Sequence, residues 1–140
     1  MAAGPARLDV LVVDGDTNIR ASFGTILRSA GHQVDEAADA PSALEKLQTA
    51  GFGVVVVDVA TALDIGVLAR FAHSAPQVVL VFGPDAEVDV DMLMAAVQAF
   101  GHLHKPVDPI RLRTTVAAAL AVHRGEGGSS ILPEQGVAPA

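Results

Sequence analysis

Residues 10–16 read VLVVDGD: four apolar residues, then two aspartates flanking a glycine. An apolar, β-branched run that ends in acid reads as a buried strand delivering charge at its exit. The pattern returns at 53–58, GVVVVD, and a comparable run without the acid stands at 77–82, QVVLVF. Strands that are apolar at every position, rather than at alternate ones, suit a parallel sheet covered on both faces.

Helical segments separate these runs. Strand one is read at 8–14, LDVLVVD. From Asp16 to Ala30, Ile19, Phe23, Ile26 and Leu27 form a helical stripe that Gly31 stops. A weaker strand, HQVDEA, follows at 32–37; Asp39 then caps a helix with Pro41 in its first turn and Leu44 and Leu47 facing inward. A short helix is expected from Leu63 to His73, between the strands at 53–58 and 77–82. Gly83-Pro84 ends the fourth strand, and Val90, Leu93, Met94 and Val97 share one face of the next helix. HLHK at 102–105 is a brief fifth strand, low in apolar content as an edge strand can be. Asp108-Pro109 caps a last helix carrying Leu112, Val116, Ala119 and Leu120. Five such units are too few for an eight-fold barrel and suit an open, doubly wound α/β sheet.

The 140 residues are 51% hydrophobic, enough for one domain core without staples, and they contain no cysteine. Disulfides, thiolate catalysis and cysteine-ligated metals are therefore excluded. A net charge of −7 argues against nucleic acid or an anionic membrane as partner. No apolar run approaches the roughly 20 residues of a membrane span, and MAAGPARLD lacks the features of a secretory signal, so a cytoplasmic location is expected. Residues 1–7 and the Gly-, Ser- and Pro-rich stretch 125–140 read as flexible ends of a domain spanning 8–124.

In open α/β sheets, sites form beyond the carboxyl ends of the strands, where strand order switches. That rule collects Asp14, Gly15, Asp16, Asp58, Gly83 and Lys105. Asp14 and Asp58 would repel if adjacent, unless a cation or the ammonium of Lys105 compensates. His102 and His104 share a face and have the His-x-His spacing of a zinc site, but no third ligand accompanies them, which favours a packed or solvated pair. The acids Asp85, Glu87, Asp89 and Asp91 read as the solvated start of a helix.

The order VLVVDGDTNIR, EAADAPSALEKL, VVVVD with Gly66 eight residues later, and Lys105-Pro106 before the last helix resembles the receiver domain of bacterial two-component response regulators. The resemblance covers Leu8 to about Arg124. It implies a (βα)5 flavodoxin-like sheet in the order 2-1-3-4-5. It further implies that Asp58 accepts a phosphoryl group from a histidine kinase or phosphotransfer protein, and that Lys105 pairs with that group. Asp14, Asp58 and the backbone carbonyl of Ala60 would hold Mg2+. Asp16 is either a further ligand or the cap of the first helix; its place just before the apolar stripe favours the cap. The resemblance also implies a protein that is no enzyme beyond its own phosphorylation and dephosphorylation. Its partner face is the fourth helix, fifth strand and fifth helix, where Arg111 and Arg113 could meet the acidic cluster of a second copy or a downstream protein.

Four departures from the family pattern stand out. Gly15 replaces the second acid, so a weakened Mg2+ site is expected. Gly83 replaces the hydroxyl residue that follows the phosphoryl group, and His102 occupies the aromatic switch position. Thr61-Ala62 replaces Met-Pro after the acceptor. Two functions follow: a phospho-accepting single-domain regulator, or a pseudo-receiver that acts by protein contact alone. Nucleotide or flavin binding lacks a Gly-rich phosphate loop, and the acidic first loop would repel phosphates.

Overall fold

The computed structural model describes residues 7–62, 65–74 and 77–125. Except for Arg7 and Gly125, the two expected flexible ends lie outside the described residues. The elements are β1 (Arg7–Val13), α1 (Thr17–Ser29), β2 (Val34–Ala37), α2 (Ala40–Thr49), β3 (Gly51–Asp58), α3 (Val59–Ala62), α4 (Ile65–Ser74), β4 (Gln77–Phe82), α5 (Val90–Val97), β5 (Gly101–His104) and α6 (Pro109–His123). All strand pairings are parallel, in the order β2-β1-β3-β4-β5. This is the doubly wound sheet and strand order expected from the sequence.

The continuous apolar runs are explained by two cores, one on each face of the sheet. Leu11, Val13, Val55, Val57, Leu80 and Phe82 pack with Leu44 and Leu47 of α2, Leu68 and Phe71 of α4 and Val97 of α5. Their strand neighbours Val10, Val12, Val54, Val56, Val79 and Val81 pack with Phe23 and Leu27 of α1 and with Leu112, Val116, Ala119 and Leu120 of α6. Gly53 lets α6 approach β3 closely: a Cβ there would stand 2.7 Å from Leu120 Cδ2 and 2.9 Å from His123 Cδ2.

The helix ends obey local chemistry. Asp39, Asp89 and Asp108 cap α2, α5 and α6 through backbone N–H groups. Gly31, at φ +96°, supplies the left-handed turn after α1. The expected third helix differs from the expectation, because helix begins at Val59, directly after Asp58, and Leu63 falls outside the described residues. The fourth and fifth helices of the sequence reading are therefore α5 and α6. Lys105 stands one residue past β5 rather than inside it, its N–H donating to the Phe82 carbonyl at 2.9 Å.

Candidate functional site

Strand order reverses between β1 and β3, since β1 leads to β2 on one side and β3 to β4 on the other. The register that pairs Val13 with Val57 sets Asp14 beside Asp58 at the carboxyl edge. Both acids are buried, at 2% and 6% exposure, and are the only buried charged residues among those described. Buried carboxylates need a counter-charge, and Lys105 supplies it from the far end of the sheet. Its Nζ stands 2.8 Å from Asp14 Oδ2 and 3.1 Å from Asp58 Oδ1. Burial alone would lower the lysine's pKa, but the attraction of both aspartates outweighs it and holds it above its usual value.

Each acid is also fixed by local donors. Asp14 Oδ1 accepts the Asp16 N–H at 2.8 Å, and the Asp14 carbonyl accepts Arg20 Nη1 at 2.8 Å. Asp14 Oδ2 is buried without an aligned hydrogen bond, and its contact with the Lys105 ammonium is one of charge. Asp58 Oδ2 accepts twice from Thr61, from its N–H at 3.0 Å and its hydroxyl at 2.6 Å. Asp58 thus begins α3 in the manner of an N-cap. Thr61 Oγ1 in turn accepts the Gly15 N–H at 2.8 Å, which ties the loop after β1 to α3.

The structure brings Asp14, Asp58 and Lys105 together. Asp16 lies outside that cluster as the N-cap of α1, its Oδ1 accepting from Asn18 and Ile19 at 2.9 and 3.1 Å. Ala60 is the exposed second residue of α3. Gly83 follows β4, and a Cβ built there would meet nothing within 4 Å, so a side chain has room at this position. His102 lies against Phe82 and His104, with ring centroids 6.1 and 5.2 Å away. Burial first, then the neighbouring His104 and Arg111, lower its pKa, while Asp91 opposes them. No group of three His, Asp or Glu side chains able to hold a metal occurs among the described residues, so His102 and His104 form no zinc cluster there.

Thr61 is the residue whose place sequence reasoning missed. Its signal was available: a hydroxyl residue three positions after a strand-ending acid is where an N-cap's partner sits. What the sequence could not show is that its oxygen also receives Gly15.

A family profile described as the response regulator receiver domain matches residues 10–117. The chain belongs to that family. Among its relatives, Protein Rrf1 of Nitratidesulfovibrio vulgaris is 31% identical over 97% of this chain and 96% of its own length. The transcriptional regulatory protein ZraR of Klebsiella oxytoca is 29% identical over 82% of this chain, which spans only 27% of that protein. A CheY-like receiver domain protein from Methanospirillum hungatei superposes with a TM-score of 0.76 at 24% identity, over 86% of this chain and 98% of its own. Chemotaxis protein CheY4 of Vibrio cholerae gives 0.70 at 28% identity, over 81% and 99%. Membership places this receiver in two-component signalling. No helix among the described residues is long and apolar enough to cross a membrane.

Receiver domains typically bind Mg2+ in their acidic pocket, and the residues present here fit a divalent cation. Two buried carboxylates lie side by side at the carboxyl edge of the sheet, and Asp14 Oδ2 has the Lys105 ammonium beside it but no aligned hydrogen-bond donor, the kind of oxygen a hard cation takes up. The acidic side chains available there to such a cation are two, because Gly15 offers none.

Proposed function

We propose that this receiver accepts a phosphoryl group on Asp58 from a phosphohistidine of a histidine kinase or phosphotransfer protein, and signals by protein contact. The supporting observation is the juxtaposition of Asp58, Asp14 and Lys105 at the switch point of the sheet. A carboxylate oxygen attacks phosphorus, forming an O–P bond while the N–P bond breaks and its electron pair returns to the imidazole. The chain's own residues have distinct parts. Lys105 neutralises charge on the transferred group, and Asp14 holds Lys105 in place. Asp14 and Asp58, with the Ala60 carbonyl as the third ligand the family uses, would hold Mg2+, which supplies charge neutralisation when bound. The absence of a side chain at Gly15 supports a weaker cation site.

Output through α5, β5 and α6 fits the exposed apolar residues Met92 and Ile110, flanked by Asp91 on α5 and Arg111 and Arg113 on α6. Such a face suits a downstream protein or a second copy of the chain. Gly83 favours a second reading, the phosphorylation-independent interaction module, since no hydroxyl at that position can follow the phosphoryl group.

The test is incubation with phosphoramidate and MgCl2, read by intact mass. One added phosphoryl group in the wild type and none in Asp58→Ala is expected. An unmodified wild type would overturn the phosphorylation reading and favour the interaction-only one.

A further inference from the structure

Thr61 has no assigned part in the chemistry described so far, yet it makes the shortest hydrogen bond to the acceptor among the described residues. Its direction is fixed by its neighbours. The Gly15 N–H can only donate, so it occupies a lone pair of Thr61 Oγ1. The ionised Asp58 carboxylate can only accept, so the hydroxyl proton points at Oδ2. Together with the Thr61 N–H, this gives Oδ2 two donors, whereas Oδ1 faces the Lys105 ammonium.

We propose that Thr61 is a positioning residue of the phosphorylation site: it engages Oδ2, directs the phosphoryl group to Oδ1 beside Lys105, and shortens the life of the acyl phosphate. The inference rests on Asp58 being the acceptor. When phosphorus bonds to Oδ1, Oδ2 becomes the carbonyl oxygen of a mixed anhydride and loses most of its negative charge. When water later attacks phosphorus, the O–P bond breaks and its electron pair returns to the carboxylate. Inorganic phosphate leaves with the oxygen and protons of that water. Charge then reappears on Oδ2, where two donors already wait. A donor that binds the carboxylate better than the anhydride favours the unphosphorylated state and speeds its return.

Gly15 is part of the same arrangement. A Cβ at position 15 would stand 3.4 Å from Thr61 Oγ1, in ordinary contact, so glycine is not required there by space. The missing acid and the added hydroxyl are therefore neighbours, and the hydroxyl contacts the loop that lost the acid.

The experiment compares wild type, Thr61→Val, Thr61→Ser and Asp58→Ala after phosphoramidate loading with MgCl2 and removal of the donor, following the decay of the phosphorylated mass. Thr61→Val keeps the shape and removes the hydroxyl; its adduct is expected to decay about tenfold more slowly, as loss of one charge-assisted hydrogen bond implies. Thr61→Ser is expected to restore wild-type decay. Equal decay in Thr61→Val and wild type, with an adduct present in both, overturns the role of Thr61 and leaves Asp58 as acceptor. No Asp58-dependent adduct in the wild type overturns both. Hydrogen exchange at the Gly15 amide gives a readout that needs no phosphorylation. Gly15 is exposed, so its protection comes from Thr61. Exchange as slow in Thr61→Val as in wild type would overturn the bridge itself, and a lowered melting temperature with unchanged decay would reduce Thr61 to a structural residue.

Discussion

Lys105→Met removes the charge between two buried carboxylates while keeping most of the apolar stem. At an effective dielectric of about 20, contacts of 2.8 and 3.1 Å correspond to gross attractions of about 6 and 5 kcal/mol. Most of that is offset by the cost of stripping water from three charged groups. Removing one partner from a buried ion pair nevertheless costs about 3–5 kcal/mol, because the remaining charges keep their burial. Lys105 retains 15% of its side-chain exposure, and water there reduces the loss, so we take about 3 kcal/mol. For a domain of this size that is a fall in melting temperature of about 12 °C. The assay is thermal unfolding by circular dichroism at pH 7 with a chelator present, so that no divalent cation replaces the ammonium. Added MgCl2 is then expected to recover more stability in Lys105→Met than in the wild type. The alkaline limb has a definite sign. The lysine's pKa is raised in the folded protein, so its contribution is complete below the unfolded value near 10.5 and is lost as pH rises through the folded value. The gap between the two proteins should close there. A variant that melts within about 2 °C of wild type at pH 7 would refute the reasoning, because an energy on the scale of a buried ion pair could not then be present.

Gly15→Asp fits the space available, with its Cβ 3.4 Å from Thr61 Oγ1, and adds a third carboxylate at the pocket. Mg2+ affinity measured by calorimetry should rise about tenfold, as ligand charge count governs such sites. Gly83→Thr, with open space at its Cβ, should fold with unchanged melting temperature and restore a hydroxyl beyond β4. A phosphorylation-dependent shift in the His102 ring resonances, larger than in wild type, is the expected readout. The pKa of His102 is lowered first by burial, then by His104 and Arg111, against Asp91. The unfolded chain therefore binds a proton near pH 6.5 that the folded one refuses, and stability falls as pH drops below that value. His102→Phe should flatten stability between pH 7 and 5 in denaturant titrations, and an unchanged slope would count against this assignment. Gly53→Ala should cost about 1–3 kcal/mol in urea unfolding despite alanine's smaller backbone entropy, because its Cβ meets Leu120 at 2.7 Å and Leu120 is fully packed.

Much of the fold was legible because its strands are buried on both faces. VLVV, VVVV and VVLV need cover on either side, and only a sheet between two helical layers provides it. The capping acids at 39, 89 and 108 and the stop at Gly31 are local chemistry, readable without neighbours. The start of the third helix was not legible at Val59. Its first turn is organised by Asp58, which a periodicity argument assigns to the strand alone. Likewise Asp16 satisfies both the spacing of a ligand and that of a cap, and its two backbone donors place it in the second part.

The sequence by itself determined the layered sheet, the strand ends that carry acid, and the lysine near the last strand, because apolar pattern and turn chemistry are local and repetitive. Only the tertiary structure decided how those charges meet. Parallel register sets Asp14 beside Asp58, and the pairing of β5 alongside β4 places Lys105 at the same edge, where its ammonium reaches both. It alone revealed that Thr61 joins the Gly15 backbone to the Asp58 carboxylate. A hydrogen bond across 46 positions has no periodicity to betray it; it exists because two strand ends lie side by side.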